Sequence, residues 1–190
     1  TSVEFVGHVI TADGISFSEE KRLKVLNFPP PTTGKQMLGF LGLFNYFRDH
    51  LPDMTGKTRN LRSLVQKNIK RRTTWSPELE KAFVEVRDLV AHCPTLYFPV
   101  EDGEVVVMTD ASDYGIGAYI FQIVDNKELP ILFVSKSLQG AQLNWSTIEK
   151  EAYAIFYTLK THDQLLRDIK FTIRTDHKNL TYINLKSLQK

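Results

Sequence analysis

Two stretches of this chain close a run of β-forming residues on the same pair, Thr-Asp. In VVVMTDASDYGIGAYIFQ, residues 105–122, the aspartate is Asp110, and in FTIRTDHKNL, which starts at Phe171, it is Asp176. An aspartate after a strand can do no more than begin a turn, because its carboxylate accepts hydrogen bonds from the amides that follow. Two of them at two strand ends also deliver carboxylates to one sheet edge, where ligand sites gather in α/β folds. The stretch between them, NWSTIEKEAYAIFYTLKTH, reads as a helix with two further candidates, Glu149 and Glu151. On a helical wheel its apolar stripe is Ile148, Ala152, Ile155, Phe156 and Leu159, flanked on opposite sides by the two glutamates, so periodicity does not choose between them. Capping does. Ser146-Thr-Ile-Glu149 is a capping box in which the glutamate reaches back to the cap amide. Glu151 has no such local task and is the better ligand candidate, its alternative being a solvated surface residue.

Three carboxylates drawn to one place repel one another unless a cation neutralises them. Oxygen donors select hard divalent ions, which points to Mg²⁺, with Mn²⁺ as a substitute, rather than Zn²⁺. Two such ions about 3.5 to 4 Å apart activate a water and stabilise the leaving oxygen of a phosphodiester.

The elements that must position these residues fall into two halves. Residues 3–10, VEFVGHVI, read as a strand, and the turn TADG with Ile15–Phe17 completes a hairpin. Ser18 caps a helix over EEKRLKVLNF, ended by three prolines at 29–31. Thr32 or Thr33 restarts a helix in which Met37, Phe40, Leu41, Phe44 and Phe47 follow 3 and 4 spacings, and whose Gly39 and Gly42 invite another backbone close. A helix around 57–67, the basic run KNIKRR, and a helix opened by Ser76-Pro77 and ended near Pro94 follow. From Leu96 the pattern turns to strands, over 104–110, 116–124 and 130–135, then the helix, a strand over 170–175 and a helical KNLTYINL. The expected organisation is α/β: a hairpin and mostly helical half over 1–95, then a domain with a mixed sheet in β-β-β-α-β-α order over 96–190.

Composition narrows the function classes. At 42% hydrophobic residues the 190-residue chain can fill a core. A net charge of +2 is too balanced to mark a nucleic-acid binder by itself, so that case rests on local patches. The single cysteine, Cys93, excludes an internal disulfide and a cysteine-rich zinc site. No apolar run approaches the roughly 18 to 20 residues of a membrane span. The chain lacks an initiating methionine and stops in mid-pattern, which reads as a piece of a longer polypeptide.

MTDASDYGIGA, NWSTIEKEAYAI and IRTDHKNL, in this order, resemble the ribonuclease H domain of reverse transcriptases from Gypsy-type LTR retrotransposons, the Metaviridae. VEFVGHVITADGI is similar to the primer-grip strand pair at the end of the family's polymerase palm. NFPPPTTGKQMLGFLGLFNYFRDHLPDM is similar to its thumb, and WSPELEKAFVEVRDLVAHCPTLYFP to its connector. The resemblance implies a ribonuclease H-like domain, truncated at its C-terminus, that hydrolyses the RNA strand of RNA–DNA hybrids endonucleolytically. It implies Asp110, Glu151 and Asp176 as catalytic and metal-binding residues, with two Mg²⁺ ions in the complete domain. The polymerase's own catalytic aspartates are absent, and so is the segment that supplies a fourth metal-binding aspartate.

A grip on the hybrid works through its backbones and 2′-hydroxyls rather than its base sequence. Candidate contacts are Lys35, Arg48, Lys57, Arg59, Arg62 and the run Lys67, Lys70, Arg71 and Arg72. By resemblance, Gly115 and Gly117 let the substrate backbone approach, and His177 follows the third carboxylate. Expected partners are the RNA–DNA hybrid, a template-primer duplex and the rest of the Pol polyprotein, with its polymerase fingers and palm and its integrase. No membrane is expected, and a homodimer is compatible with the sequence. The implied setting is intracellular: cytoplasm, virus-like particle or nucleus. The rival readings are a non-catalytic module that binds nucleic acid or a protein partner, and a DNA-specific or integrase-like nuclease on the same fold.

Overall fold

The computed structural model describes residues 2–65 and 72–182. The chain divides into two compact units, Thr1–Phe98 and Pro99–Lys190. The boundary lies three residues beyond the expected one because Leu96–Tyr97 forms a short strand that pairs with the first unit's sheet.

In the first unit the antiparallel sheet runs β1 (Val3–Phe5), β2 (His8–Ile10), β3 (Gly14–Phe17) and β4 (Leu96–Tyr97). Residues 3–10, expected as one strand, form two, because Val6 and Gly7 at φ 50° and 78° make a tight left-handed reversal between them. Helices α1 (Glu19–Leu26), α2 (Gly34–Asn45), α3 (Met54–Arg62) and α4 (Pro77–Ala91) follow. Thr33 caps α2 by accepting from the Gln36 amide, and Ser76 caps α4 by accepting from Leu79. Ser18 precedes α1 but makes no side-chain cap bond. Helix α3 begins three residues before the expected start, where Asp53 accepts from the Gly56 amide.

Met37, Phe40, Leu41, Phe44 and Phe47 are buried, and α2 thus supplies the centre of a core shared with Val25, Leu61, Phe83 and Val86. The opposite face of α2 is open. A Cβ at Gly39 or Gly42 would meet nothing within 4 Å, so among the described residues these glycines do not admit a neighbouring backbone, contrary to expectation.

In the second unit the sheet order is β7 (Lys127–Ser137), β6 (Gly115–Val124), β5 (Glu104–Ala111) and β8 (Phe171–Arg174). The first three form an antiparallel meander, while β8 joins β5 in parallel. A parallel neighbour needs a crossover, and α5 (Thr147–Thr161) with the short α6 (Asp163–Leu166) provides it. Val105, Val107, Ala118, Ile120 and Leu132 form the core. The closing segment Lys178–Tyr182 is a 3₁₀ helix, in line with the helical reading of KNLTYINL, whose residues 183–185 lie outside the described residues.

Helix α5 corrects the wheel. Its buried positions are Lys150, Glu151, Ala154, Ile155 and Thr158, whereas Ile148 and Phe156 from the supposed apolar stripe are exposed. The side of the helix that packs on the sheet thus carries Glu151 to the end of β5.

Candidate metal and nuclease centre

Each carboxylate is brought in by a different element. Asp110 is the penultimate residue of β5, a strand whose Val105, Val106 and Val107 are fully buried and anchor it in the sheet centre. Asp176 lies two residues beyond β8, on the parallel neighbour of β5. Glu151 sits in the second turn of α5, and Glu149 is committed elsewhere: it accepts from the Ser146 amide at 2.8 Å and from the Ser146 hydroxyl at 2.7 Å, completing the capping box. Ligand oxygens of Asp110, Glu151 and Asp176 all lie within 4.8 Å of one another. The two aspartates are exposed and the glutamate is 2% exposed.

The electrostatics follow from that placement. One oxygen of Glu151 accepts from the Ala111 amide at 3.1 Å. The other is buried and, among the described residues, has no hydrogen-bond partner. Burial, followed by the charges of Asp176 and Asp110, pushes the Glu151 pKa from 4.5 up to about 7, although the Ala111 amide pulls the other way. A buried carboxylate oxygen with no donor, facing two more carboxylates, is an arrangement that a divalent cation satisfies and a protein donor does not. The residues present therefore fit a hard metal ion.

Gly117 stands directly opposite Asp110 in the β5–β6 register. Among the described residues, a Cβ placed there would meet only the Val134 carbonyl within 4 Å, at 3.7 Å, so the position opposite Asp110 carries no side chain and is open. Gly115 is buried at the start of β6 and accepts at its carbonyl from the Ser112 amide, at 2.8 Å. His177 is partly buried next to Asp176, and its amide donates to the Thr175 hydroxyl.

Of the expected phosphate contacts, Lys35 on α2 and Lys57, Arg59 and Arg62 on α3 are exposed. Arg48 is partly buried and donates to Asn45. Arg72 is exposed and bridges to Thr33. Lys67, Lys70 and Arg71 lie outside the described residues.

Sequence reasoning missed Lys150. Its side chain is buried, and its ammonium meets Asp113, in the β5–β6 turn, at 3.0 Å. The two are 37 residues apart, and no local spacing could have joined them.

Residues 101–190 match the family described as the RNase H-like domain found in reverse transcriptase. The retrovirus-related Pol polyprotein from transposon 297 of Drosophila melanogaster is 34% identical over 183 residues, covering 96% of this chain and 17% of that protein. The corresponding polyprotein from transposon opus of the same organism is 31% identical, covering 96% and 19%. The transposon Tf2-3 polyprotein of Schizosaccharomyces pombe is 32% identical, covering 95% and 14%. The chain thus spans less than a fifth of the length of these relatives. Among solved structures, the foamy viral protease-reverse transcriptase in complex with RNA/DNA hybrid has a TM-score of 0.74 at 22% identity, over 100% of this chain and 26% of that one. The same protein in complex with dsDNA gives 0.75 at 23%, over 99% and 38%. At these identities the likeness is one of fold.

Proposed function

Residues 101–190 belong to the RNase H-like domains found in reverse transcriptase, in a chain related along its length to the Pol polyproteins of Gypsy-type retrotransposons, and from that premise we propose a divalent-metal-dependent endonuclease that hydrolyses the RNA strand of RNA–DNA hybrids. The observation that carries this reading is the convergence of Asp110, Glu151 and Asp176 within 4.8 Å, with one Glu151 oxygen buried and without a partner among the described residues.

Asp110, Glu151 and Asp176 would hold the ions, Mg²⁺ or Mn²⁺. When bound, these supply Lewis acidity toward the scissile phosphodiester and a water of lowered pKa. The chain's own contribution is positional. The exposed aspartates face solvent, where a phosphate backbone can approach, while Glu151 is held from behind by the Ala111 amide. The absence of side-chain bulk at Gly117 leaves space beside Asp110 for a sugar-phosphate strand. Because no base edge needs to be read, this surface suits a substrate recognised by backbone shape and 2′-hydroxyls.

For the first unit we propose the primer-grip, thumb and connector segments of the polymerase. The open face of α2, with exposed Lys35 and two glycines, and the exposed Lys57, Arg59 and Arg62 of α3 would contact duplex phosphates. Proposed partners are the hybrid, the template-primer duplex and the remainder of the polyprotein.

The deciding experiment is cleavage of a 5′-labelled RNA–DNA hybrid in Mg²⁺ and in Mn²⁺ by this chain and by Asp110→Asn. RNA-strand cleavage that is lost in Asp110→Asn is the expected result. Equal cleavage by both proteins, or binding of the hybrid with no cleavage in either metal, overturns it.

A further inference from the structure

Among the described residues, three of the four ion pairs join side chains four apart on one helix: Lys24 with Glu20, Lys81 with Glu85, and Arg167 with Asp163. The fourth, Lys150 with Asp113, ties α5 to the β5–β6 turn. It is also unlike them in burial. The Lys150 side chain is 7% exposed, while Asp113 is fully exposed. A lysine this close to water normally extends its ammonium into it. Here the ammonium stays back, against the turn.

The turn that Lys150 holds is stiff. Ser112 donates through its amide and its hydroxyl to the Gly115 carbonyl, at 2.8 and 3.0 Å, and its hydroxyl accepts from the Gly115 amide at 3.1 Å. The Tyr114 carbonyl accepts from the Leu138 amide at 2.9 Å, just past the end of β7. A pull on Asp113 is therefore passed to the end of β5 rather than absorbed by the loop. The neighbouring helix residue makes the second grip, since Glu151 accepts from Ala111. Two consecutive residues of α5 thus hold two points of one hairpin, on either side of Ser112.

We infer that Lys150 and Asp113 are positioning residues of the carboxylate cluster: their ion pair keeps the Ser112–Gly115 turn on α5 and so holds Asp110 and Ala111 in place against Glu151. The inference rests on the metal-centre reading for its functional consequence, but the mechanical part is independent of it. Lys150 acts here through its bond to the turn, not by neutralising the cluster. Double-mutant logic makes the claim specific. Breaking the pair from either side should have the same effect, and breaking it twice should add little.

The test is amide hydrogen exchange of the 190-residue chain, followed residue by residue, in Lys150→Met, Asp113→Asn and the double variant. Ala111 is expected to exchange about tenfold faster in all three, with Val107 in the strand centre unchanged, and Lys150→Arg and Asp113→Glu are expected to restore slow exchange. In parallel, Mn²⁺ affinity, read from the electron paramagnetic resonance of the free ion, is expected to fall about three- to tenfold in the same three variants. Unchanged exchange at Ala111 overturns the inference, and so does equal acceleration at Ala111 and Val107, which would make the pair a general stabiliser. If exchange responds but wild type and Asp110→Asn take up Mn²⁺ equally, the metal reading falls and takes the pair's role in it, while the hairpin clamp stands.

Discussion

The amide of Ala111 donates to Glu151 Oε1 across 3.1 Å, so the last residue of β5 grips α5 through the same side chain that completes the carboxylate cluster. That bond occupies one oxygen and leaves the other buried, with no donor to it among the described residues. The protein thus orients Glu151 without satisfying it, and a proton or a cation must do the rest.

The proton's share sets a pH dependence. Burial raises the Glu151 pKa from 4.5 to about 7, so the folded chain holds a proton that the unfolded chain has already released in that interval. This contribution to stability is fully present below about pH 4.5 and is lost as pH rises through about 7. Glu151→Gln, which carries no charge to bury, is expected to melt above wild type at pH 8 in chelator, with the gap closing by pH 5. Thermal unfolding at a series of pH values checks it, and a gap that widens toward low pH contradicts it.

A cation competes for the same oxygen. Binding of Mn²⁺ at pH 6 is expected to release a proton, and at pH 8.5 close to none. Calorimetry in buffers of different ionisation enthalpy measures this directly. Asp110→Asn and Asp176→Asn should each lower Mn²⁺ affinity by at least about tenfold, while raising the stability of the metal-free protein by relieving repulsion on Glu151.

The proposed duplex contacts predict a salt signature. Replacing the exposed Lys35 by alanine should weaken binding of hybrid and of duplex DNA to a similar extent, and reduce the slope of log K against log salt by about one. Titrations between low and moderate salt give the slope. An unchanged slope removes Lys35 from the interface.

The β1–β2 reversal predicts a stabilising substitution. Val6 is a β-branched residue at φ 50° and is 62% exposed, in a turn whose geometry favours asparagine followed by glycine. Val6→Asn, leaving Gly7 in place, is expected to raise stability by about 0.5 to 1 kcal/mol. Denaturant unfolding, followed through the first unit's transition, reports it.

The centre of the first unit predicts the opposite. Phe44 is fully buried among the side chains of α2 and its neighbours, so Phe44→Ala should cost about 3 to 5 kcal/mol. Circular dichroism during urea unfolding measures the loss.

Much of this arrangement was legible from local signals, because those signals depend on neighbours in sequence. The proline at Pro77, the cap at Ser76, the α2 start at one of two threonines, Thr32 or Thr33, and the β-former runs that locate β5 and β6 all act within a few residues. The choice of Glu151 over Glu149 came from the capping box, and the structure uses Glu149 as that box requires. The Gypsy-type resemblance, which the relatives bear out, rested on motifs of the same short range.

The apolar face of α2 was read correctly from spacing, whereas two other inferences about which face met which failed. The apolar wheel of α5 was right for Ile155, which is buried, and wrong for Ile148 and Phe156, which are exposed while Glu151, Ala154 and Thr158 are buried. Gly39 and Gly42 read as a close-packing seam and lie on an open face. Residue type and spacing thus determined by themselves which carboxylates were available and which elements would carry them. Only the tertiary structure decided that β8 lies parallel to β5, that Glu151 turns inward with one oxygen unpartnered, and that Lys150 reaches Asp113 across 37 residues. The physical reason is range: capping and turn formation end within one helical turn, whereas burial and charge pairing are properties of whatever surface the folded chain happens to bring alongside.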